Sequence, residues 1–315
     1  VEDVEAEYDN MDTVLAIKDA LEHGNCQVEL MEATGELLTR LADAKLDIVF
    51  NFAEGIQGRG REAQVPAVLN LLKIPFTGSD ETTLCIALDK ALAKRLLASY
   101  HIKTPKYKVV LHENPKPLTN FPLPAIVKPN AEGSSKGISD VAIVTSMEEL
   151  NKLTAKNIKL YQQNMLVEEY IEGREFTVAL LGNGSDLQVF PPMEIVYINN
   201  DKPFNIYSYS VKQNFKDVIR YECPAPIDKH TEIEMIHTAK RVYNILGCKD
   251  FARIDFRLSN DGKLHFIEIN PLPGLAPGYS DFPMIAEFCG IEYGKLIRKI
   301  LAAALSRYGI RHTMD

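Results

Sequence analysis

The stretch FARIDFRLSNDGKLHFIEINPLPG, residues 251–274, predicts two antiparallel strands joined by an Asp-Gly turn. In a two-residue turn of this kind, Asn260 pairs with Lys263. Counting back along both arms then places Asp255 opposite Glu268. Directly opposed carboxylates repel each other, so this pairing indicates that a divalent cation lies between them.

The same register places Arg253 opposite Asn270, and residues two apart on a strand share one face of the sheet. Asp255, Glu268 and Asn270 offer the hard oxygen ligands that Mg²⁺ takes together with substrate phosphates and water. Arg253 keeps its proton and is suited to steady an anionic group nearby. The alternative interpretation is a solvated polar face with a chance cluster.

Length and composition predict a soluble protein of two or three domains, because 315 residues exceed the usual size of a single core. The chain has no apolar run long enough to cross a bilayer, and its acidic first residues do not resemble a signal peptide, which predicts a cytoplasmic location. Five scattered cysteines indicate reduced thiols. A net charge of -8 without a basic block argues against nucleic acid and against a membrane surface as partner.

The first third of the chain alternates helical and strand patterns. Residues 11–24 and 63–73 have apolar residues at helical spacing, whereas residues 46–52 and 74–79 are predicted buried strands. This order predicts a parallel sheet flanked by helices. Because such a unit usually begins with a strand, a chain that opens on a helix indicates a trimmed N-terminus.

Glycine-bearing hairpins are predicted beyond residue 89. The segment KPNAEGSSKG begins with Lys128 at the end of a strand, and the small residues after it let backbone N–H groups approach phosphate oxygens. It is not a Walker A loop. Those small residues are Gly133, Ser134, Ser135 and Gly137.

A second predicted hairpin, residues 164–181, turns around Glu172 and Gly173. One interpretation is an amphipathic hairpin with Glu168 and Glu175 exposed, and likewise a solvated Lys90 at the start of a helix. The functional interpretation is that these carboxylates accept hydrogen bonds from an adenine amino group and from ribose hydroxyls. Residues 207–222 are predicted to form a long functional loop.

The motif order DK...VKP..EGSS.G...VEEYI.G.EFTV...ARIDF...FIEINPLPG strongly resembles the ATP-grasp ligases, and within them the D-alanine–D-alanine ligases. The resemblance implies a Rossmann-like α/β domain (residues 1–88) and two β-rich ATP-binding lobes (residues 89–181 and 182–315), with the metal site in the last. It also implies that an amino-acid carboxylate attacks the γ-phosphate of ATP to give an acyl phosphate, which a second amine then displaces.

The resemblance also assigns roles. Lys90 and Lys128 would contact phosphates, and Ser135 would belong to the closing glycine-rich loop. Lys212 matches the lysine of a mobile loop that closes over the phosphate, and the tyrosine that usually follows this lysine is hydrogen-bonded to Ser134. Arg253 and the backbone of Gly274 would stabilise the oxyanion, and Mg²⁺ or Mn²⁺ would lie on Asp255, Glu268 and Asn270. The residues implied around the adenosine are Glu168, Glu169, Tyr170, Ile171 and Glu175.

Departures from the family pattern concern the amino-acid side. Glu54 stands where a histidine is usual, and Gln213 where a tyrosine follows the loop lysine. Ser280 and Asp281 replace a Ser-Leu pair in the segment that receives the carboxylate of the second amino acid. Glu5 and Glu7 are the alternative candidates to hold the first amino group.

Three functions therefore stay open. The first is D-alanyl-D-alanine synthesis for the cell wall by a homodimer, as the resemblance implies. The second is a dipeptide ligase with another acceptor, for which Glu54, Gln213 and Asp281 would be responsible. The third is an ATP-binding module without turnover, which would be expected to lack metal ligands or phosphate lysines.

Overall fold

The structure is a computed structural model, and it describes residues 10–55, 57–132, 143–198, 204 and 218–314. The helices in these ranges are α1 (Met11–Glu22), α2 (Leu37–Asp43), α3 (Gln64–Leu72), α4 (Glu81–Leu88), α5 (Lys90–Ser99), α6 (Met147–Tyr161), α7 (Lys229–Ile245), α8 (Asp281–Phe288) and α9 (Tyr293–Arg307). The strands are β1 (Tyr107–Val110), β2 (Ala125–Pro129), β3 (Ile143–Val144), β4 (Met165–Glu169), β5 (Gly173–Leu181), β6 (Gln188–Val189), β7 (Met193–Tyr197), β8 (Ile219–Glu222), β9 (Phe251–Ser259) and β10 (Leu264–Asn270).

Two antiparallel sheets form the β-rich part of the molecule. The smaller sheet has the strand order β1-β4-β2-β3, and α6 packs on it through a core that includes Val127, Leu150 and Val167. The larger sheet runs β10-β9-β5-β7-β8, with β6 paired to β5. One of its faces packs on α7, and the other packs on α1, α8 and α9. Burial of both faces accounts for the apolar run at the end of β5, residues 178–181.

The start of α5 is fixed by a buried polar network. The Asp89 carboxylate accepts from the backbone N–H of Leu92 at 2.9 Å and from the Asn130 side chain at 2.8 Å. The first contact is a helix N-cap, and the second ties the helix to the end of β2. The cap sets the rotation of α5, so that Lys90 and Lys94, one turn apart, both point into the protein.

The N-terminal part confirms the predicted helices but has less sheet than the sequence indicates. α1 and α3 form where helical spacing predicts them. Among the described residues, the two predicted strands share a single parallel bridge, Val49 to Phe76. The bridge does not extend because Pro75 has no N–H to donate and the backbone N–H of Asn51 bonds to the Thr77 hydroxyl instead.

Two further sequence predictions are wrong in part. Residues 164–181 are not a hairpin, because β4 pairs with β1 and β2 in the smaller sheet whereas β5 pairs with β7 and β9 in the larger one. The chain crosses between sheets at residues 170–172. The predicted loop 207–222 ends in a strand, since β8 pairs with β7. The β2–β3 and β9–β10 pairs are confirmed.

The domain boundaries after residues 88 and 181 stay a prediction. β5 ends at Leu181 and pairs with strands that follow it in the chain. In the described ranges, none of the helices has the length and apolar character needed to span a bilayer.

Candidate active site

The β9–β10 hairpin presents the predicted cluster in the predicted register: Glu268 lies opposite Asp255, and Asn270 lies opposite Arg253. The predicted pairing of Asn260 with Lys263 is wrong. The backbone N–H of Ser259 donates to the carbonyl of Lys263 at 3.0 Å, so the turn holds three residues rather than two.

A bulge corrects that offset. Phe266 lies opposite Phe256, but the next pair along the hairpin is Glu268 with Asp255, so Ile267 is the extra residue. The one-residue shift at the turn and the bulge at Ile267 cancel. The carboxylates therefore face each other although the predicted turn is wrong.

The candidate metal ligands present oxygen atoms held by neighbouring groups. The Thr177 hydroxyl donates to Asp255 at 2.7 Å, and Lys90 Nζ lies 3.6 Å from Glu268 Oε2. Two opposed carboxylates with one amide fit Mg²⁺, which commonly uses one or two protein carboxylates and takes its other ligands from phosphate and water. Within the part of the chain that the structure describes, no group of three or more His, Cys, Asp or Glu side chains could hold a metal by itself.

Arg253 is buried between two carboxylates. Its guanidinium donates to Asp255 at 3.1 Å and 3.0 Å, and its Nη1 lies 3.1 Å from Asp281 Oδ2. Asp281 is itself buried at the first position of α8. Arg253, which is predicted to stabilise the oxyanion, therefore already has a carboxylate on each side.

Gly274 and Ser280 approach each other closely. A Cβ atom on Gly274 would lie only 2.8 Å from the Ser280 Oγ atom, which accepts from the backbone N–H of Ala276 at 3.1 Å. The absence of a side chain at Gly274 therefore leaves room for the Ser280 hydroxyl. Ser280 and Asp281 stand side by side next to the predicted oxyanion group.

The predicted phosphate lysines are buried rather than solvated. Lys90 is 8% exposed and donates to the carbonyl of Glu132, and Lys128 is 4% exposed. Glu168 is 2% exposed, which rules out the interpretation of an exposed amphipathic hairpin. Its Oε2 atom lies 2.5 Å from Lys128 Nζ, and its Oε1 atom lies 2.6 Å from Lys94 Nζ.

The pKa values of Glu168 and Lys128 are set by burial and by the charges of their neighbours. Burial alone would raise the pKa of Glu168, but Lys128 and then Lys94 outweigh burial and leave that pKa lowered. Burial lowers the pKa of Lys128, yet the attraction of Glu168 and Glu268 leaves it raised overall. Both partners are thus held in their charged forms.

The predicted adenosine residues lie next to this group. Tyr197 donates from its hydroxyl to Glu175 at 2.8 Å, and Arg257 Nη2 lies 3.4 Å from the same carboxylate. The Arg257 guanidinium also stacks 4.8 Å from the centre of the Tyr170 ring. The backbone N–H groups of Glu169 and Tyr170 bond to the carbonyls of Lys106 and Pro124, and Ile171 is half-buried.

Sequence reasoning missed Lys94, Arg257 and Arg61. Lys94 stands four residues after Lys90, so helical spacing offered a signal. Arg257 lies two residues after Asp255 and shares its strand face. Nothing in the local sequence marks Arg61 as buried.

Arg61 lies in the stretch that departs from the family pattern. Its guanidinium donates to the carbonyl of Ala131 at 2.9 Å and lies 3.3 Å from Glu132 Oε2. The stretch therefore anchors the end of the segment that leads from β2 towards the glycine-rich loop. Glu54 is half-buried nearby in the chain. The predicted residues that lie outside the described ranges are Glu5, Glu7, Gly133, Ser134, Ser135, Gly137, Lys212 and Gln213.

Comparison with solved structures defines the class. The structure matches that of the D-alanine-D-alanine ligase from Coxiella burnetii with a TM-score of 0.65 and 21% identity, covering 84% of this chain and 70% of that one. It matches the VanG D-Ala:D-Ser ligase from Enterococcus faecalis with a TM-score of 0.66 and 25% identity, covering 83% and 74%. Two antiparallel sheets that bring lysines and paired carboxylates together, with these structural matches, define the ATP-grasp fold.

Sequence comparison then gives the family. The family described as "D-ala D-ala ligase C-terminus" matches residues 96–302. The D-alanine–D-alanine ligase of Bordetella avium is 34% identical over 295 residues, covering 91% of this chain and 87% of that protein. The ligase of Aquifex aeolicus is 32% identical, covering 93% and 94%. The chain belongs to the D-alanine–D-alanine ligase family of ATP-dependent ligases.

Proposed function

We propose that the protein joins two D-alanine molecules at the expense of ATP, forming ADP and phosphate through an acyl phosphate. The observation that carries the proposal is the hairpin that places Asp255 opposite Glu268, with Lys90 at 3.6 Å from Glu268. A non-catalytic ATP-binding module is disfavoured, because it would not need to retain both opposed carboxylates and two buried lysines.

The residues of the chain have distinct roles in this reaction. A carboxylate is a poor acyl donor, so its transfer to an amine requires a leaving group, which the γ-phosphate supplies. Lys90 and Lys128 offset the repulsion between ATP and the attacking carboxylate. Arg253 and the backbone N–H of Gly274 would stabilise the negative charge of the tetrahedral intermediate. Glu175, Tyr170 and Glu168 would border the nucleoside.

Magnesium or manganese fits the oxygen atoms of Asp255, Glu268 and Asn270, where a divalent cation would neutralise charge on the phosphates of ATP. Two neighbouring side chains position the carboxylates of this site: Thr177 donates to Asp255, and Lys90 faces Glu268.

The direct test is to measure phosphate release from ATP with magnesium, offering single and paired D- and L-amino acids and identifying products by mass. Release with D-alanine alone, together with the dipeptide, supports the proposal. Release with another pair only would keep the ligase chemistry and change the substrate. No release with any pair would leave the ATP-binding module as the better description.

A second candidate is a ligase with another acceptor, and the Arg253–Asp281 ion pair favours it. A buried carboxylate in the segment implied to receive an acceptor carboxylate would repel that group. The acceptor would then be an amine with a weaker negative charge at this position. The D-Ala:D-Ser ligase among the structural neighbours shows that acceptors vary between such proteins.

Replacing Asp281 with Leu separates these candidates. If Asp281 repels the acceptor carboxylate, the KM for D-alanine as acceptor should fall about tenfold, because removing a like charge is worth at least about 1.4 kcal/mol. The KM for ATP should stay unchanged. An unchanged acceptor KM would mean that Asp281 has no part in acceptor choice.

We also propose a cytoplasmic homodimer that acts on small-molecule substrates, as the resemblance implies. Sedimentation equilibrium would measure the mass in solution, and a single species of 35.3 kDa would contradict the dimer.

A further inference from the structure

Lys94 is a fully buried cation to which the proposed reaction assigns no role. It is 0% exposed and lies on the same face of α5 as Lys90. Burying an ammonium group is costly unless each N–H finds a partner. The polar contacts of Lys94 therefore have to explain why a charged side chain is buried here.

Those contacts join three parts of the site. Lys94 Nζ lies 2.6 Å from Glu168 Oε1 on β4. It donates to the Thr104 hydroxyl at 2.8 Å and to the carbonyl of Ile267 at 2.9 Å. Ile267 is the bulge residue that brings Glu268 opposite Asp255. One ammonium group therefore connects α5, the smaller sheet and the hairpin with the carboxylates.

The charge balance explains what Lys94 does for its neighbour. Glu168 carries one negative charge and contacts two ammonium groups, Lys94 through Oε1 and Lys128 through Oε2. Burial leaves the pKa of Lys94 lowered, although Glu168 opposes that shift. With Lys94 protonated, the three side chains together carry one excess positive charge. Without Lys94, the whole negative charge of Glu168 would face Lys128 and would weaken the attraction of Lys128 for phosphate.

We propose that Lys94 is a positioning residue for Lys128: it shares the Glu168 carboxylate, and this sharing leaves Lys128 available to the phosphates of ATP. The inference rests on the proposed function, because it needs ATP to bind at Lys128. It adds a residue that works behind the phosphate-binding group and touches no substrate.

The test measures MgATP affinity by titration calorimetry on Lys94→Met, which keeps the side-chain length and removes the charge. We expect an affinity loss of about 10- to 100-fold, the usual effect of removing a group that supports a ligand-binding residue. Arg95→Met, on the next residue of the same helix, serves as the control and should bind MgATP like the wild type.

The conservative variant Lys94→Arg provides a readout that a purely structural role would not give. It keeps a positive charge beside Glu168 and changes the shape of the side chain, so MgATP affinity should stay within about threefold of the wild type. If Lys94 mattered only for packing, Lys94→Arg would lose at least as much affinity as Lys94→Met. Equal affinity of Lys94→Met and the wild type would also overturn the proposal.

Two further measurements keep the outcomes distinct. Thermal melting of each variant shows whether it is folded. If Lys94→Met does not fold, Lys94→Gln decides, since it keeps a hydrogen-bonding side chain and removes the charge. MgATP affinity equal to that of the wild type in Lys94→Gln would overturn the proposal. If the wild type itself fails to bind MgATP, the proposed function is wrong, and the role proposed for Lys94 is then wrong as well.

Discussion

At the scale of single residues, the site depends on carboxylates whose charge is matched by fixed neighbours. Glu268 faces Asp255 across the hairpin and Lys90 at 3.6 Å. Glu168 instead has both oxygens next to lysines. The two glutamates therefore have different surroundings, since Glu268 faces another carboxylate and is proposed to bind the metal, whereas both oxygens of Glu168 face lysines.

Replacing Glu268 with Gln should abolish most turnover while leaving the protein folded. We expect phosphate release to fall at least about 100-fold, because a metal ion at this position contributes several kcal/mol to stabilising charge in the transition state. Asp261→Asn, the same change on the exposed turn of the hairpin, should retain normal activity. Retention of more than about a tenth of the activity by the Glu268→Gln variant would remove Glu268 from the metal set.

The sequence predicts the residue identities of the site better than their contacts. Asp255, Glu268 and Arg253 follow from counting along a hairpin, since strand periodicity is local. The contact of Lys94 with Glu168 joins residues that are distant in the chain, and no local pattern encodes it. The ion pair of Arg253 with Asp281 escapes prediction for the same reason, although the aspartate itself stands out as a departure from the family pattern.

At the scale of elements, the chain passes from one sheet to the other at Gly173, the first residue of β5. Its φ angle is +143°, and a Cβ atom there would lie 2.1 Å from the carbonyl oxygen of Leu258. A local pattern of two strands around a glycine predicts a hairpin. Here the glycine instead lets β5 lie against β9, which is why the hairpin prediction failed.

Gly173→Ala should therefore be strongly destabilising. The backbone strain alone is worth about 1–3 kcal/mol, and the collision with Leu258 adds to it. Gly262→Ala is the matched control, because Gly262 also has a positive φ angle, +75°, but open space around it. Urea denaturation should show the larger loss in free energy of unfolding for Gly173→Ala, and equal losses would contradict the role given to the Leu258 contact.

At the scale of the whole molecule, Asp250 joins segments that are far apart in the sequence. Its buried carboxylate accepts from the backbone N–H of Gly78 at 2.8 Å and from the Asn183 side chain at 2.7 Å. Arg307 at the end of α9 donates to both oxygens, at 3.0 Å and 2.8 Å. The N-terminal segment, the larger sheet and the last helix thus meet at one side chain.

Asp250→Asn should destabilise the protein by about 3 kcal/mol, because it removes a buried charge that half-buried Arg307 pairs with. It also places an amide N–H group against the donors that now bond to the Asp250 carboxylate. The KM for ATP should change little. Asp228→Asn at the start of α7 is the control, since asparagine caps a helix as well as aspartate does. Similar urea midpoints for the two variants would show that Asp250 is not a joint between segments.

The Arg61–Glu132 contact bears on the construction of hybrid proteins. It links the N-terminal segment to the base of the nucleotide-binding half, so the two residues have to be inherited together. A chimera that takes residues 1–88 from a relative with another side chain at position 61 would separate Glu132 from this guanidinium. Exchange of substrate specificity between relatives by swapping N-terminal modules is therefore constrained by a pair of residues outside the predicted substrate set.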